Sequence, residues 1–334
     1  MSALQYETLT SSQLTQLALR ALKAYPDPVQ GELRLLCRSE NATFVIETPT
    51  QRYALRLHRG HYHDQQAIES ELMWLDALRA ADIQAPEALY DRQGERVQKL
   101  QLDGEHRYAV IFHWMDGEMP TTDVSPEAFY QLGEITAQLH QHSRQWQAPA
   151  AFKRIIWNHE TMVGPQGHWG DWRAASGLPA EDHPLIEAAL SQIQQSLVEY
   201  GQSPERYGLI HADLRLTNLL RHQQQTRVID FDDCGQGWYL HDLAAALSFE
   251  EHHPNAPLWA ERWLAGYQAH CPLSAADLAI LPSLFLQRRL QMTAWIASHA
   301  ETETVRQLDA DWMQHTLRLC RQYLAQPERW PLGC

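Results

Sequence analysis

Two short polar clusters, each set behind a run of apolar residues, constrain this chain more than any other feature. The first, "GLIHADLRLTNLL" (208–220), places His211, Asp213, Arg215 and Asn218 between flanks that should be buried. The second, "VIDFDDCG" (228–235), begins its acids twelve residues after Asn218, with Asp230, Asp232 and Asp233. Buried charge is costly unless it is paired or used. A single Asp followed by Asn is an ordinary turn-former. Two such clusters in this order, each closing a short strand-like run, point instead to a site built at strand ends.

His211, Asp213 and Asn218 stand as H-x-D-x-x-x-x-N. That spacing resembles the catalytic loop of kinases, in which the aspartate takes a substrate hydroxyl's proton and the asparagine holds Mg2+. A loop of about four residues lets both side chains face one point, where attacking oxygen and metal must meet. Asp230 can add a carboxylate from the end of the next strand, because Mg2+ takes hard oxygen ligands and keeps several waters. Asp232 is a further candidate ligand beside it.

The remaining sequence supplies two bodies for such a site to lie between. "TSSQLTQLALRALKAY" reads as an amphipathic helix with Leu14, Leu17, Ala18 and Leu22 on one face and Ser11 or Ser12 as cap. "ELRLLCR", "ATFVIET" and "RYALRLH" (32–58) read as an antiparallel meander. A helix capped by Asp64 follows, with Ile68, Leu72, Leu75 and Leu78 as its stripe. "APEAL", "RVQKLQL" and "RYAVIFHWM" read as further extended runs, and "DGEMP" breaks the pattern as a hinge. Beyond it the chain is mostly helical: a helix opened by Ser125 and Pro126, a Trp-, His- and Gly-rich segment (152–177), a helix ending at Gly201, and four helices over 239–326. The expected class is α+β with two lobes, 1–116 β-rich and nucleotide-binding, and 117–334 helical, carrying both polar clusters and a substrate lid.

Charge and cysteine usage narrow the partners. A net charge of −14 disfavours nucleic-acid backbones and tilts toward neutral or cationic ligands. No run of about 18 apolar residues is present, so no membrane partner is expected. The opening "MSALQYETLT" lacks the regions of a signal peptide, and five scattered cysteines without a CxxC pair suit reduced thiols. A cytoplasmic location is expected.

"HADLRLTNLL" with "VIDFDDCGQGWYLHDLAAAL" resembles the aminoglycoside phosphotransferase family, which includes choline, homoserine and methylthioribose kinases. "YALRLHR", "SELMWLDALRAADIQAPEAL" and "YAVIFHWMDGE" are similar to its third strand, regulatory-type helix and hinge, so the likeness spans nearly the whole chain. The resemblance implies a protein-kinase-like fold and ATP-dependent phosphorylation of a hydroxyl. It makes Asp213 the base, Asn218 and Asp230 the metal ligands, and His211 a brace for the loop. In the hinge run, His113 and Met115 are expected beside the nucleotide.

Two departures from the kinase pattern bear on the nucleotide. The only lysines are Lys23, Lys99 and Lys153, so none stands on the third strand. Arg56 occupies the place of the phosphate-gripping lysine, and a guanidinium can bind phosphate oxygens bidentately. Its expected anchor is Glu71, with Glu69 second; Arg56 is read as facing the cleft, outside the core. No G-x-G-x-x-G is present either. "CRSENATF" stands in its place, and amides from Ser39 to Thr43, with Ser39 and Asn41 foremost, can cover phosphates. Arg215 can steady the transferring phosphoryl or pair with Asp232.

The sequence thus reads as a kinase that uses ATP and Mg2+ to phosphorylate a small-molecule alcohol of homoserine, choline or aminoglycoside type. A bacterial Ser/Thr protein kinase of the same fold and a nucleotide-binding pseudokinase are the alternatives.

Overall fold

The computed structural model describes residues 9–38, 40–102, 104–119, 125–223, 225–300, 302–308 and 310–333. Five antiparallel strands form the first sheet: β1 (Glu32–Arg38), β2 (Ala42–Glu47), β3 (Arg52–Leu57), β4 (Gln98–Leu102) and β5 (Glu105–His113), in the order β1-β2-β3-β5-β4. The strand expected at "APEAL" contributes only an isolated bridge from Ala88 to Phe112.

Alternation along β3 decides what each sheet face meets. Leu55 and Leu57 point to α1 (Ser11–Leu22), joining Leu14, Leu17, Ala18, Leu22, Phe44 and Ile46 in one buried cluster. Arg56 points the other way, toward α2 (Gln65–Ala80), whose Ile68, Leu72, Leu75 and Leu78 pack with Val110 and Phe112. The sheet is therefore covered on both faces, and α2 belongs to the larger core that runs on into the helical part. Both helix starts are set by side chains: Asp64 accepts from the Ala67 amide at 2.8 Å. The first helix is capped by Thr10, not Ser11 or Ser12, because only Thr10 can trade bonds with Gln13 in a capping box.

After the hinge come α3 (Pro126–Gln145), β6 (Ile155–Ile156), α4 (His159–Val163), α5 (His183–Tyr200) and β7 (Tyr207–Ile210). Next are the ribbon β8 (Leu219–His222) with β9 (Gln225–Val228), then β10 (Gly235–Trp238). The C-terminal helices are α6 (His241–Ala246), α7 (Ala256–Gln268), α8 (Ala275–Ala279), α9 (Leu281–Ser298), α10 (Glu303–Arg306) and α11 (Trp312–Ala325). Six helices thus stand among the described residues where four are expected. The additional two, of 5 and 4 residues, are too short to show a helical period. Helices α3 and α7 lie so close that a Cβ on Gly133 or Gly266 would stand 2.0 Å from the opposing backbone oxygen. The two polar clusters sit at the ends of β7 and β9, facing the first sheet.

Candidate active site

The first cluster is held from below. Asp242, fully buried at the start of α6, accepts from the Ala212 amide at 2.7 Å and the His211 amide at 3.2 Å. His140 Nε2 meets the same carboxylate at 3.0 Å. Burial alone would raise the Asp242 carboxyl, but the His140 bond keeps it below its ordinary value. The loop needs this support, since Ala212 sits at φ +68°, a left-handed conformation that a residue with a Cβ adopts at a cost. His211 spans the loop from inside. Its Nδ1 accepts from the Asp213 amide at 3.3 Å, which leaves Nε2 to donate to the Ile229 carbonyl at 3.1 Å and so join the two clusters.

Asp213 stands at the centre with both oxygens engaged. Arg288 Nη2 donates to Oδ1 at 2.6 Å. Oδ2 is held more loosely, by Asn218 Nδ2 at 3.2 Å and Arg215 Nη2 at 3.3 Å. Arg215 turns back on Asp213, and no bond to Asp232 is formed. Asn218 commits its nitrogen to Asp213, leaving Oδ1 as the atom that can meet a cation.

Two residues beyond the end of β9, Asp230 sits at φ +63°. The surrounding chain raises its carboxyl against the pull of Arg56, with the Asp232 and Asp213 charges adding to the rise. Even so, 52% of its side-chain surface stays open to the cleft. Asn218 Oδ1 and the Asp230 carboxylate are hard oxygen donors, a set that suits a divalent cation drawing its remaining ligands from phosphates and water. Among the described residues no group of three or more His, Cys, Asp and Glu is assembled around a metal position.

Arg56 and Glu71 form the pair expected of them. Arg56 Nη2 lies 2.7 and 2.6 Å from the two Glu71 oxygens, and Nη1 is 3.9 Å from Asp230. Glu69 bonds Gln65 instead. One expectation needs correcting: Arg56 is buried, with 10% of its side chain exposed against 1% for Glu71, so it is part of the core as well as of the cleft. Its Nε is buried with no partner among the described residues, a donor held in reserve.

One further expectation is corrected by geometry. Asp232 is not turned to the metal position: Asn41 Nδ2 donates to it at 2.9 Å, and His58 Nδ1 lies 3.1 Å away. Burial alone would raise Asp232, yet the two imidazoles, His63 and His58, and the Arg56 charge hold it well below the carboxylate range. The Asn41 side chain spends its nitrogen on Asp232 and its oxygen on the Arg59 amide at 3.0 Å, tying the first sheet to the second cluster; it is the backbone amide of Asn41, not this side chain, that is proposed for phosphate. Ser39 lies outside the described residues. His113 ends β5, gives its amide to the Glu87 carbonyl at 2.9 Å and exposes its ring; Met115 follows in the half-buried linker.

Sequence reasoning missed three supports. Arg288 lies on α9, 75 residues from the carboxylate that it bonds. Arg154 donates to the Cys234 carbonyl at 2.7 Å, the Ala67 carbonyl at 2.9 Å and the Asp232 carbonyl, joining α2 to the second cluster. Tyr62 donates to Asp233 at 2.5 Å. The only sequence signal was a pair of arginines inside a helix whose residues 281–296 are otherwise uncharged. Trp157, Trp169 and Trp172 are buried in the large core, so the segment over 152–177 is packed against the helices.

The profile of the phosphotransferase enzyme family matches residues 36–279. The structure of a microcompartment-associated aminopropanol kinase shares 40% sequence identity, covers 94% of this chain and 98% of its own, and superposes with a TM-score of 0.87. The structure of an amicoumacin kinase in complex with AMP-PNP and Ca2+ has the same fold at 21% identity, with a TM-score of 0.74 over 95% of this chain and 94% of its own. A homoserine kinase of Gluconobacter oxydans is 26% identical over 284 residues, 80% of this chain and 83% of that one. No helix among the described residues is long and apolar enough to cross a membrane.

Proposed function

The chain belongs to the phosphotransferase enzyme family, and on that premise we propose that it is an ATP- and Mg2+-dependent kinase acting on a small amino alcohol of the aminopropanol kind. The observation that carries this reading is Asp213, set at the cleft with one oxygen fixed by Arg288 and the other loosely held beside Asn218. In the reaction Asp213 Oδ2 takes the proton of the acceptor hydroxyl as its oxygen bonds the γ-phosphorus, and the bond from that phosphorus to the ADP oxygen breaks. Arg215, 31% exposed at the cleft edge, is placed to meet charge on the moving phosphoryl. Arg56, anchored by Glu71, reaches the phosphates from β3. Asn218 and Asp230 would hold Mg2+, which would neutralise part of the charge of the triphosphate. The linker at His113 to Met115 would receive the adenine, between a nucleotide-binding lobe (1–116) and a helical one (117–334).

The acceptor assignment draws on the likeness to the aminopropanol kinase and on the net charge of −14, which favours a cationic substrate. A pseudokinase is disfavoured by the intact Arg56–Glu71 pair and by Asp213, Asn218 and Asp230 standing together. The test is ATP consumption with Mg2+ across aminopropanols, choline, homoserine, sugars and aminoglycosides, followed by mass spectrometry of the product. A phosphorylated amino alcohol is expected; phosphorylation of a sugar or aminoglycoside alone would overturn the acceptor class.

A further inference from the structure

Arg288 has the features of a group that works through Asp213. It lies mid-way along α9, a helix whose residues 281–296 are all buried. Every nitrogen of its guanidinium is partnered. Nε donates to Ser248 Oγ at 2.8 Å, Nη1 to the Ala212 carbonyl and Gln291 Oε1 at 3.3 Å each, and Nη2 to Asp213 Oδ1 at 2.6 Å. Trp169 closes the remaining side, its ring centroid 5.0 Å from the guanidinium carbon.

The pair is one-sided. Arg288 exposes 1% of its side chain and Asp213 exposes 16%. The cation is therefore sealed behind the carboxylate, on the protein side, and the carboxylate opens to the cleft on the other. Its two oxygens are held unequally: Oδ1 has a short charge-assisted bond, while Oδ2 has contacts of 3.2 to 3.4 Å. An ion pair serving the fold alone would have no reason to spend a fully desolvated guanidinium on a loop carboxylate that faces solvent, because removing a cation from water costs several kcal/mol. The same arginine also grips the loop backbone through the Ala212 carbonyl, at the residue with φ +68°. Carboxylate and loop are thus positioned by one rigid, branched group, of whose bonds Lys could make only part.

We infer that Arg288 is the positioning residue of the phosphoryl-transfer step: it fixes Asp213 by Oδ1, so that Oδ2 alone is presented to the acceptor hydroxyl. The inference rests on the reading of Asp213 as the proton acceptor, and the experiment separates the two. It uses the full chain with ATP, Mg2+ and aminopropanol, with ATP hydrolysis to water as the readout that needs no organic acceptor. Arg288→Met is expected to lower kcat in both assays by a factor on the order of 10², within the span for losing a positioned proton acceptor, with KM for ATP within about twofold, since no phosphate contact is removed. Arg288→Lys, which also covers the case of an unfolded Arg288→Met, is expected to recover part of kcat. Adding Arg288→Met to Asp213→Asn is expected to cost nothing further, because both act through one carboxylate. Wild-type kcat in Arg288→Met, or losses that multiply in the double variant, would overturn the inference. A fully active Asp213→Asn would overturn the base assignment first, and the inference with it.

Discussion

Arg56 on β3 and Glu71 on α2 meet through a single guanidinium nitrogen, 2.7 and 2.6 Å from the two carboxylate oxygens, at a place where both side chains are nearly closed to solvent. That pair couples the sheet to the helix behind the cleft. Removing either partner leaves the other charge buried and alone, which typically costs about 3–5 kcal/mol. Arg56→Ala should therefore lower the melting temperature clearly and raise KM for ATP several-fold. Arg56→Lys should recover part of both. An Arg56→Ala enzyme with wild-type ATP kinetics would leave the phosphates without this partner.

Asp230 is the carboxylate assigned to the metal. Asp230→Ala should abolish the gain in nucleotide affinity that Mg2+ brings and leave the affinity in chelator unchanged. Calorimetry in both conditions measures this. A Mg2+ effect that survives the substitution would remove Asp230 from the metal site.

Asp242 should behave as a support and not as a reactive group. It accepts from two amides of the loop that carries Asp213. Asp242→Ala strands those amides and the buried His140, so stability should fall by roughly 3 kcal/mol or more. In whatever fraction folds, kcat should drop while nucleotide affinity holds. Equal melting curves for variant and wild type would remove Asp242 from this role.

The fold should weaken in mild acid. Burial pushes His63 down to about 3 despite the nearby Asp232, with Arg154 adding to the drop, and burial with the Arg288 charge does the same to His241. An unfolded chain binds those two protons near the ordinary value of 6.5, while the folded chain refuses them. Stability is therefore full above about 6.5 and declines as pH falls toward about 3, by up to about 1.4 kcal/mol per pH unit for each histidine. Chemical denaturation at pH 7.5 and pH 5.5 checks the sign. The raised Asp230 carboxyl works in the opposite sense over the same window, so a chain more stable at the lower pH would show that it outweighs the two rings.

The central site was legible where chemistry and local spacing coincide. Asp213 and Asn218 sit on one short loop, so their separation in sequence sets their separation in space. Arg56 was reachable by elimination, because no lysine stands on β3 and strand alternation leaves two faces to choose from. The face was settled only by α1, whose leucines claim Leu55 and Leu57. What sequence could not disclose is which oxygens are already taken. Asp232 has the right chemistry for a metal, yet its carboxylate is bonded by the Asn41 side chain and faced by His58. Arg288 was invisible for the opposite reason, since its contact with Asp213 exists only once α9 has packed.

The most direct test of the account is single-turnover phosphoryl transfer by Asp213→Asn beside the wild-type chain, with ATP, Mg2+ and aminopropanol. The substitution keeps the size of the side chain and the oxygen that faces Arg288, and it removes the ability to take a proton. The account predicts that ATP still binds and that transfer slows by a factor of roughly 10²–10⁴. Transfer at the wild-type rate would contradict it.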